Sequence, residues 1–213
     1  MVAFIFDFIG KTLVITLSAF VVLSFPCYGS EATLITEQAG DKNMELQWFE
    51  KYDGQRTDEL IALENKFRKD SLVSAFERAV WQKEERLGAD KLSDEERIIL
   101  AVESLEREVN NGGYLQFFVN TPEFVPMIVE ALHSIGSSET AKLTQKAIDA
   151  LKIEGPLTIP KVDEAVLLAA EEEDPDQEEI WDDCDQFYYD EIGDLSVLLF
   201  VFIKKNRERI SIP

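Results

Sequence analysis

Apolar residues recur every three or four positions through most of this chain from Met44 onward. Leu72, Phe76, Ala79 and Val80 show this spacing clearly. It places the side chains on one face of an α-helix, whereas a half-buried strand would need apolar residues at every second position. The sequence shows no clear strand alternation and no internal repeat. The pattern therefore predicts an all-α fold.

Local signals divide the helical pattern into segments. Ser93 and Glu96 form a capping box, and the helix that it opens is expected to stop at 110–113, where two Asn and two Gly follow one another. Thr121 and Pro122 then predict a restart, with Thr as the cap and Pro at the first helical position. The other predicted helices cover 57–69, 71–87, 138–153, a segment opened by Pro160, 176–191 and Leu195 to Arg207.

The length of the chain favours one domain. Of its 213 residues, 1–30 read as a signal peptide or membrane anchor, 31–43 as a polar linker, and 44–213 as an acidic helical domain. A domain of this size can bury one sizeable core and does not require a second. We expect a single compact multi-helix bundle preceded by an N-terminal signal or anchor helix.

The N-terminal segment indicates export. Thr12–Phe25 is an uncharged, mostly apolar run between Lys11 and a small-residue exit, as in a secretory signal peptide. Cleavage is expected after Gly29 or, alternatively, after Ala32, which would leave a periplasmic or secreted protein. If the run begins at Val2 it spans 24 residues, enough for a single-pass anchor, although two charges interrupt it. A misassigned start codon would instead leave the protein in the cytoplasm.

Charge limits the classes of partner. The chain carries 42 acidic and 21 basic residues, a net charge of -21. Such a field repels nucleic acids and anionic membranes, and it attracts basic protein surfaces. We therefore expect no direct nucleic-acid binding, and membrane contact only through an uncleaved N-terminal segment. Apolar residues make up 46% of the chain, which indicates a folded domain and not a disordered acidic tail.

Acidic residues are concentrated in the C-terminal part of the chain. From Asp163 to Asp194 there are 15 acidic residues and no Lys or Arg. Ile180, Cys184 and Tyr188 interleave at helical spacing, which predicts carboxylates on the opposite, solvated face. The candidate partner-binding residues are Glu171, Glu172, Glu173, Asp174, Asp176, Glu178, Glu179, Asp182, Asp183 and Asp185.

Three interpretations of this acidic stretch are open. A helix rises about 1.5 Å per residue and duplex DNA carries one charge per roughly 1.7 Å of axis, so a carboxylate-rich helix can imitate a DNA strand to a basic protein. The face can instead serve only solubility. A calcium site is a third reading, although the residues around Asp174 lack the glycine and the spacing of a dedicated calcium loop.

The segment 108–120, EVNNGGYLQFFVN, is the most distinctive in the chain. A helix stop followed by a core-filling aromatic turn explains its glycines and phenylalanines. Amides beside a turn commonly bond nearby backbone groups, which favours a structural role over ligand binding. The motif residues singled out here are Asn110, Asn111, Gly112, Gly113, Gln116, Phe117, Phe118 and Asn120.

This segment resembles the signature of the bacterial DNA-mimic protein family, a helical domain mostly of unknown function. The resemblance runs from about 90 to 210, through 130–136 and 185–188 to the closing apolar helix. It implies an all-helical fold and, for the namesake, an acidic surface that binds a DNA-binding protein in place of DNA, with a dimer as the acting form. An exported chain would meet no such regulator, so the resemblance bears on the fold more directly than on mimicry.

Signals of catalysis are missing from the sequence. His133 is the only histidine, and Cys27 and Cys184 are the only cysteines, so neither a zinc set nor a disulfide framework is expected. No phosphate loop or nucleophile elbow occurs. We expect no catalytic residue, metal or cofactor. The favoured function is an acidic module that binds a basic protein surface, including that of a DNA-binding protein. The alternatives are an envelope accessory protein and a carboxylate-based metal binder.

N-terminal sequencing of the protein recovered from its native cells tests the export prediction. We expect the mature chain to begin at Ser30 or Thr33, because cleavage is expected after Gly29 or Ala32. A chain that retains Met1 and fractionates with membranes would support the anchor instead.

Overall fold

The protein is described by a computed structural model over residues 45–171 and 174–212. In those ranges the chain forms α-helices, one short 3-10 turn and no strand. The predicted signal or anchor at 1–30 and the linker at 31–43 lie outside the described residues. The helices are α1 (Thr57–Ile61), α2 (Lys69–Leu87), α3 (Asp94–Asn120), α4 (Ile128–Ile135), α5 (Ser138–Asp149), α6 (Ile159–Glu171), α7 (Pro175–Glu191) and α8 (Leu195–Lys205).

The all-α prediction is confirmed for the described residues, and the helices pack around α3. This helix contacts α2, α4, α6, α7 and α8. Aromatic rings fill the centre, and the largest side chains that are fully buried include Tyr114, Phe76, Phe117, Phe118 and Phe200. The motif aromatics therefore belong to the core, where each large ring removes much apolar surface from water.

The predicted capping box at the start of α3 is present. Ser93 Oγ accepts a hydrogen bond from Glu96 N at 3.2 Å, and the Glu96 carboxylate accepts one from Ser93 N at 2.9 Å. Glu96 is 0% exposed and also accepts from Lys83 Nζ at 2.7 Å and from Ser211 N at 2.8 Å. One buried carboxylate thus joins the start of α3 to α2 and to the C-terminal segment.

The predicted helix restart at Thr121 and Pro122 is wrong. Turns occupy this stretch, and α4 begins only at Ile128. The Thr121 hydroxyl donates to the Phe117 carbonyl at 3.0 Å, so it serves the end of α3 and not the start of the next helix. Pro126, which lacks an N–H, prevents a continuous helix from forming here.

Three other boundaries differ from the predictions. The segment predicted as a helix at 57–69 contains only the short α1, which is followed by turns. The helix predicted at 138–153 ends at Asp149, and Lys152 beyond it has a positive φ of 55°. The predicted stop at 110–113 is a kink, and α3 continues to Asn120. None of the helices in the described ranges combines the length and the apolarity needed to cross a bilayer.

Replacing Ser93 with alanine tests the contribution of the capping box. Ser93→Ala should lower the free energy of unfolding by about 1 kcal/mol, because the N–H of Glu96 loses its acceptor. Ser134→Ala is the matched control, since Ser134 is exposed within α4 and its hydroxyl bonds only the preceding turn. Urea unfolding of both variants measures the difference, and equal losses would contradict the assignment.

Candidate functional site

Helix α7 carries the acidic stretch and is attached to α5 through its buried side. Trp181 Nε1 donates to the Ala147 carbonyl at 3.0 Å, and Gln177 Nε2 donates to the Ala150 carbonyl at 2.5 Å. Both bonds are buried and join α7 to the C-terminal part of α5. The buried residues of α7 recur at intervals of three and four and are Gln177, Trp181, Cys184 and Tyr188.

A second set of hydrogen bonds attaches α7 to α3. The Tyr189 hydroxyl donates to the Val109 carbonyl at 2.7 Å, and the Tyr188 hydroxyl donates to the Glu106 carboxylate. Burial raises the pKa of Tyr188, and the Glu106 charge raises it further, so the phenol stays a donor throughout the physiological range. With anchors at both ends, the orientation of α7 in the bundle is well defined.

The solvent side of α7 displays carboxylates. The helix has 17 residues and therefore extends about 25 Å. At 3.6 residues per turn, Glu179, Asp182, Asp183 and Asp190 fall within an arc of about 100° opposite the buried side chains. The exposed carboxylates of α7, here called its acidic surface, are Asp176, Glu178, Glu179, Asp182, Asp183, Asp190 and Glu191.

Lysines reach two of the predicted partner-binding carboxylates. Lys146 Nζ lies 3.7 Å from Asp183, with both side chains more than half exposed, so this pair neutralises little. Lys152 bonds Asp174, whose carboxylate also caps α7 by accepting from Asp176 N at 3.1 Å. The hydrogen bond from Lys152 is the main reason that the pKa of Asp174 is lowered.

The remaining predicted residues fall in different environments. Glu171 is exposed at the C-terminal end of α6, whereas Glu172 and Glu173 lie outside the described residues. Asp185 does not belong to the acidic surface. It is half-buried, and its carboxylate accepts a hydrogen bond from the backbone N–H of Tyr114 at 2.8 Å.

The bond to Asp185 explains the second glycine of the motif. Gly113 has φ 80° and ψ -178°, which breaks α3 and starts a new helical segment at Tyr114. The Asp185 carboxylate caps that new segment from another helix, as an N-cap residue would do locally. A Cβ at Gly113 would lie only 2.0 Å from Asp185 Oδ2, so the close approach requires glycine.

Two of the four motif amides bond across the same kink, whereas Asn110 Nδ2 donates to the Glu106 carbonyl in the preceding turn. Gln116 Nε2 and Asn120 Nδ2 donate to the Glu108 carboxylate at 3.0 and 2.7 Å. Burial alone would raise the pKa of Glu108, but these two bonds and one from Arg107 outweigh it and lower the pKa. Sequence reasoning noticed the amides and missed Glu108 as their shared acceptor. Glu108 is 8 residues from Gln116 and 12 residues from Asn120 in the sequence, and only the kink brings the three side chains together.

A family model described as DMP19-like protein matches residues 90–206, which is more than half of the chain. The chain belongs to the DMP19-like family. The resemblance to DNA-mimic proteins is thereby confirmed, and this family is not a known family of enzymes. Neither the search of curated proteins nor that of solved structures returned a match.

In this DMP19-like chain the matched residues contain both the kinked α3 and the acidic α7. The family match therefore covers the two helices that the Asp185 contact joins. His133, the only histidine, is exposed on α4, while Cys184 is a buried free thiol on the inner side of α7. Within the described ranges, no group of three or more His, Cys, Asp or Glu side chains is arranged to hold a metal ion.

A second acidic feature of the DMP19-like domain escaped the sequence analysis. Glu77 on α2, Glu103 and Glu106 on α3, and Asp194 at the start of α8 line a cleft of about 340 Å³. Arg107 pairs with Glu77. Burial, followed by the charges of Glu77 and Glu106, raises the pKa of Glu103 to about 8. These carboxylates come from three helices that are far apart in sequence, so no local pattern predicts the cleft.

Alanine substitution at two glycines tests the role of the kink. Gly136→Ala should cost about 1 kcal/mol, because Gly136 has φ 89° but open space around it. Gly113→Ala should cost two to three times as much, since the new Cβ would also displace Asp185 from the Tyr114 N–H. Chemical denaturation of both variants measures this ratio, and equal losses would contradict the capping role of Asp185.

The raised pKa of Glu103 predicts a pH dependence. Between its ordinary value of 4.5 and about 8, the folded state keeps a proton that the unfolded chain has released. The free energy of unfolding should therefore fall as pH rises through this window. Glu103→Gln removes this pH dependence. The melting temperature of the variant minus that of wild type should therefore be more positive at pH 8 than at pH 5. The exposed Glu85→Gln should show no such difference.

Proposed function

We propose that this protein is an acidic interaction module that binds the basic surface of another protein, including a DNA-binding surface, through the acidic surface of α7. The observation that supports this most strongly is the attachment of α7. Buried hydrogen bonds to α5 and partly buried ones to α3 hold one side of the helix, while the opposite side presents Glu179, Asp182, Asp183 and Asp190 to solvent.

Rigidity matters because it reduces the cost of binding. A flexible acidic tail loses conformational entropy when it docks, whereas carboxylates on a fixed helix are already in place. Their concentration on one side also steers a positively charged partner during encounter. The membership in the DMP19-like family supports the same function by a separate route.

The charge density is suited to a surface that binds nucleic acid. The seven carboxylates of the acidic surface lie along about 25 Å of helix, or one per roughly 3 to 4 Å. One DNA strand carries one phosphate per roughly 3.4 Å. Lysines and arginines spaced to contact phosphates can therefore meet carboxylates at a similar interval.

In this proposal the protein acts without catalysis, and it meets its partner in the compartment to which the N-terminal segment directs it. That compartment is the periplasm or the exterior after cleavage, or the membrane surface if the segment is retained. An exported chain would bind a basic protein other than a DNA-binding regulator, whereas a DNA-binding partner requires the cytoplasmic chain that a later start codon would give. The alternative is an accessory protein whose acidity only keeps it soluble. It is favoured by the acid spread over the rest of the chain, since α7 contributes only eight of the 42 acidic residues.

A charge-neutralised variant tests the proposal. Glu179→Gln, Asp182→Asn and Asp190→Asn together remove three charges opposite the buried side of α7. The immobilised wild type should retain basic proteins from a lysate of its native compartment at about 50 mM salt and release them as salt rises. The amount of basic protein retained by the variant should be at least about tenfold lower, because the charges that attract these proteins are missing. Quantitative mass spectrometry of the eluates measures both.

The matched control removes three exposed charges elsewhere. Glu85→Gln, Glu123→Gln and Glu208→Gln change the net charge by the same amount and leave α7 intact. This control should retain the same proteins as wild type. Duplex DNA added in excess should release those retained proteins that bind the acidic surface of α7 through a DNA-binding surface. Equal losses in both variants would favour general acidity and contradict a role for α7.

A further inference from the structure

A groove with a mixed apolar and charged lining lies near the start of α7, the helix that carries the acidic surface. The segment after α5, one side of α6 and the first turn of α7 enclose a volume of about 370 Å³. Its charged lining residues stand at 152, 154, 161, 164 and 174. The apolar lining comes from five side chains, Leu151, Ile153, Ala165, Leu168 and Ala169.

The helix that forms one wall of this groove leaves apolar surface uncovered. α6 packs against α3 and buries Val162, whereas Leu168 is 49% exposed and Leu167 is 66% exposed. Leu168 lines the groove itself. Large apolar side chains that are exposed beside a concave, apolar lining are characteristic of a binding surface.

The charges around the groove favour a positively charged occupant. Both lysines of the lining already have partners, because Lys152 bonds Asp174 and Lys161 donates to the Glu154 carbonyl. Within residues 45–171 and 174–212, the carboxylates of Glu154 and Glu164 form no ion pair. The next residues of α7 then continue the acidic surface. With three carboxylates and two lysines, the lining has a net charge of -1, and the acidic surface of α7 adds further negative charge near an apolar side chain that enters the groove.

We propose that this groove receives an apolar side chain, flanked by lysine or arginine, from the basic protein that binds the acidic surface of α7. The inference rests on the proposed function and specifies the partner further, as a protein that presents a cationic amphipathic segment and not a uniformly charged one. A second copy of this chain matches this partner less well, because its acidic residues outnumber its basic residues by 42 to 21.

The two parts of this interface contribute differently to binding. The acidic surface accelerates association, and its contribution weakens as salt increases. The groove removes apolar surface from water, so its contribution slows dissociation and depends little on salt. A partner that uses both is distinguished from other basic proteins by its apolar side chain.

Two synthetic peptides of equal length and equal lysine content serve as probes. One forms an amphipathic helix with leucines along one face, and the other has serine at each of those positions. The full chain should bind the leucine peptide on the order of tenfold more tightly than the serine peptide, as expected for one well-buried anchor. Fluorescence anisotropy at several salt concentrations measures both dissociation constants and both salt slopes.

Groove variants then localise the preference for leucine. Leu168→Ser should reduce the ratio of the two dissociation constants to about twofold or less, since the apolar wall is lost. Ala165→Leu, which fills the groove, should reduce the ratio in the same way without removing apolar surface. Leu87→Ser is the matched control, because Leu87 is 57% exposed at the end of α2, and it should leave the ratio unchanged. The salt slope should be the same in all three variants.

Distinct results would overturn the groove and the proposed function. If Leu168→Ser and Ala165→Leu leave the ratio unchanged while neutralisation of α7 weakens both peptides, the groove is not the anchor site and the acidic surface still binds. If neither peptide binds wild type at about 50 mM salt, both proposals fail. If Leu168→Ser changes the sedimentation of the free protein, the groove is instead a contact between copies of the chain.

Discussion

The hydrogen bond from the Tyr114 N–H to the Asp185 carboxylate links the two parts of the molecule that matter most. It caps the helical segment that restarts after the glycine kink, and it fixes α7 against α3 at the same point. The kink in turn directs Tyr114, Phe117 and Phe118 into the core. Without that bond the new helix end would leave a donor unsatisfied, which is costly in a half-buried position. The core and the orientation of the acidic helix are therefore coupled.

Carboxylates perform two opposite tasks in this protein, and burial separates them. Glu96 and Glu108 are buried acceptors, and each satisfies several donors at once: Glu96 joins distant parts of the chain, and Glu108 joins the two segments of α3 across the kink. Glu179 and Asp182, in contrast, face solvent. A buried carboxylate must be fully bonded to be tolerated, whereas an exposed one stays hydrated until a cation displaces the water. The amino-acid composition shows the excess of acidic residues clearly, but it does not distinguish buried carboxylates from exposed ones.

Several local features could be predicted because the signals that produce them are local. The capping box at Ser93 and Glu96 satisfies backbone groups within one turn, and Pro175 begins α7 because its missing N–H is harmless there. The helix predicted to restart at Thr121 does not form for reasons that are equally local. Pro126 prevents a continuous helix after Pro122, and the Thr121 hydroxyl donates to a carbonyl at the end of α3. The Asp185 contact could not be predicted in the same way, because 71 residues separate it from Tyr114.

By itself the sequence determined the helical class, the family and the side of α7 that carries acid, since these depend on residue type and on spacing within a few turns. Only the tertiary structure decided that Asp185 supports the scaffold, that Glu108 accepts from Gln116 and Asn120, and that a groove lies at the start of α7. The physical reason is that periodicity shows which side chains share a face of a helix. It does not show which neighbouring helix covers that face or leaves it open to solvent.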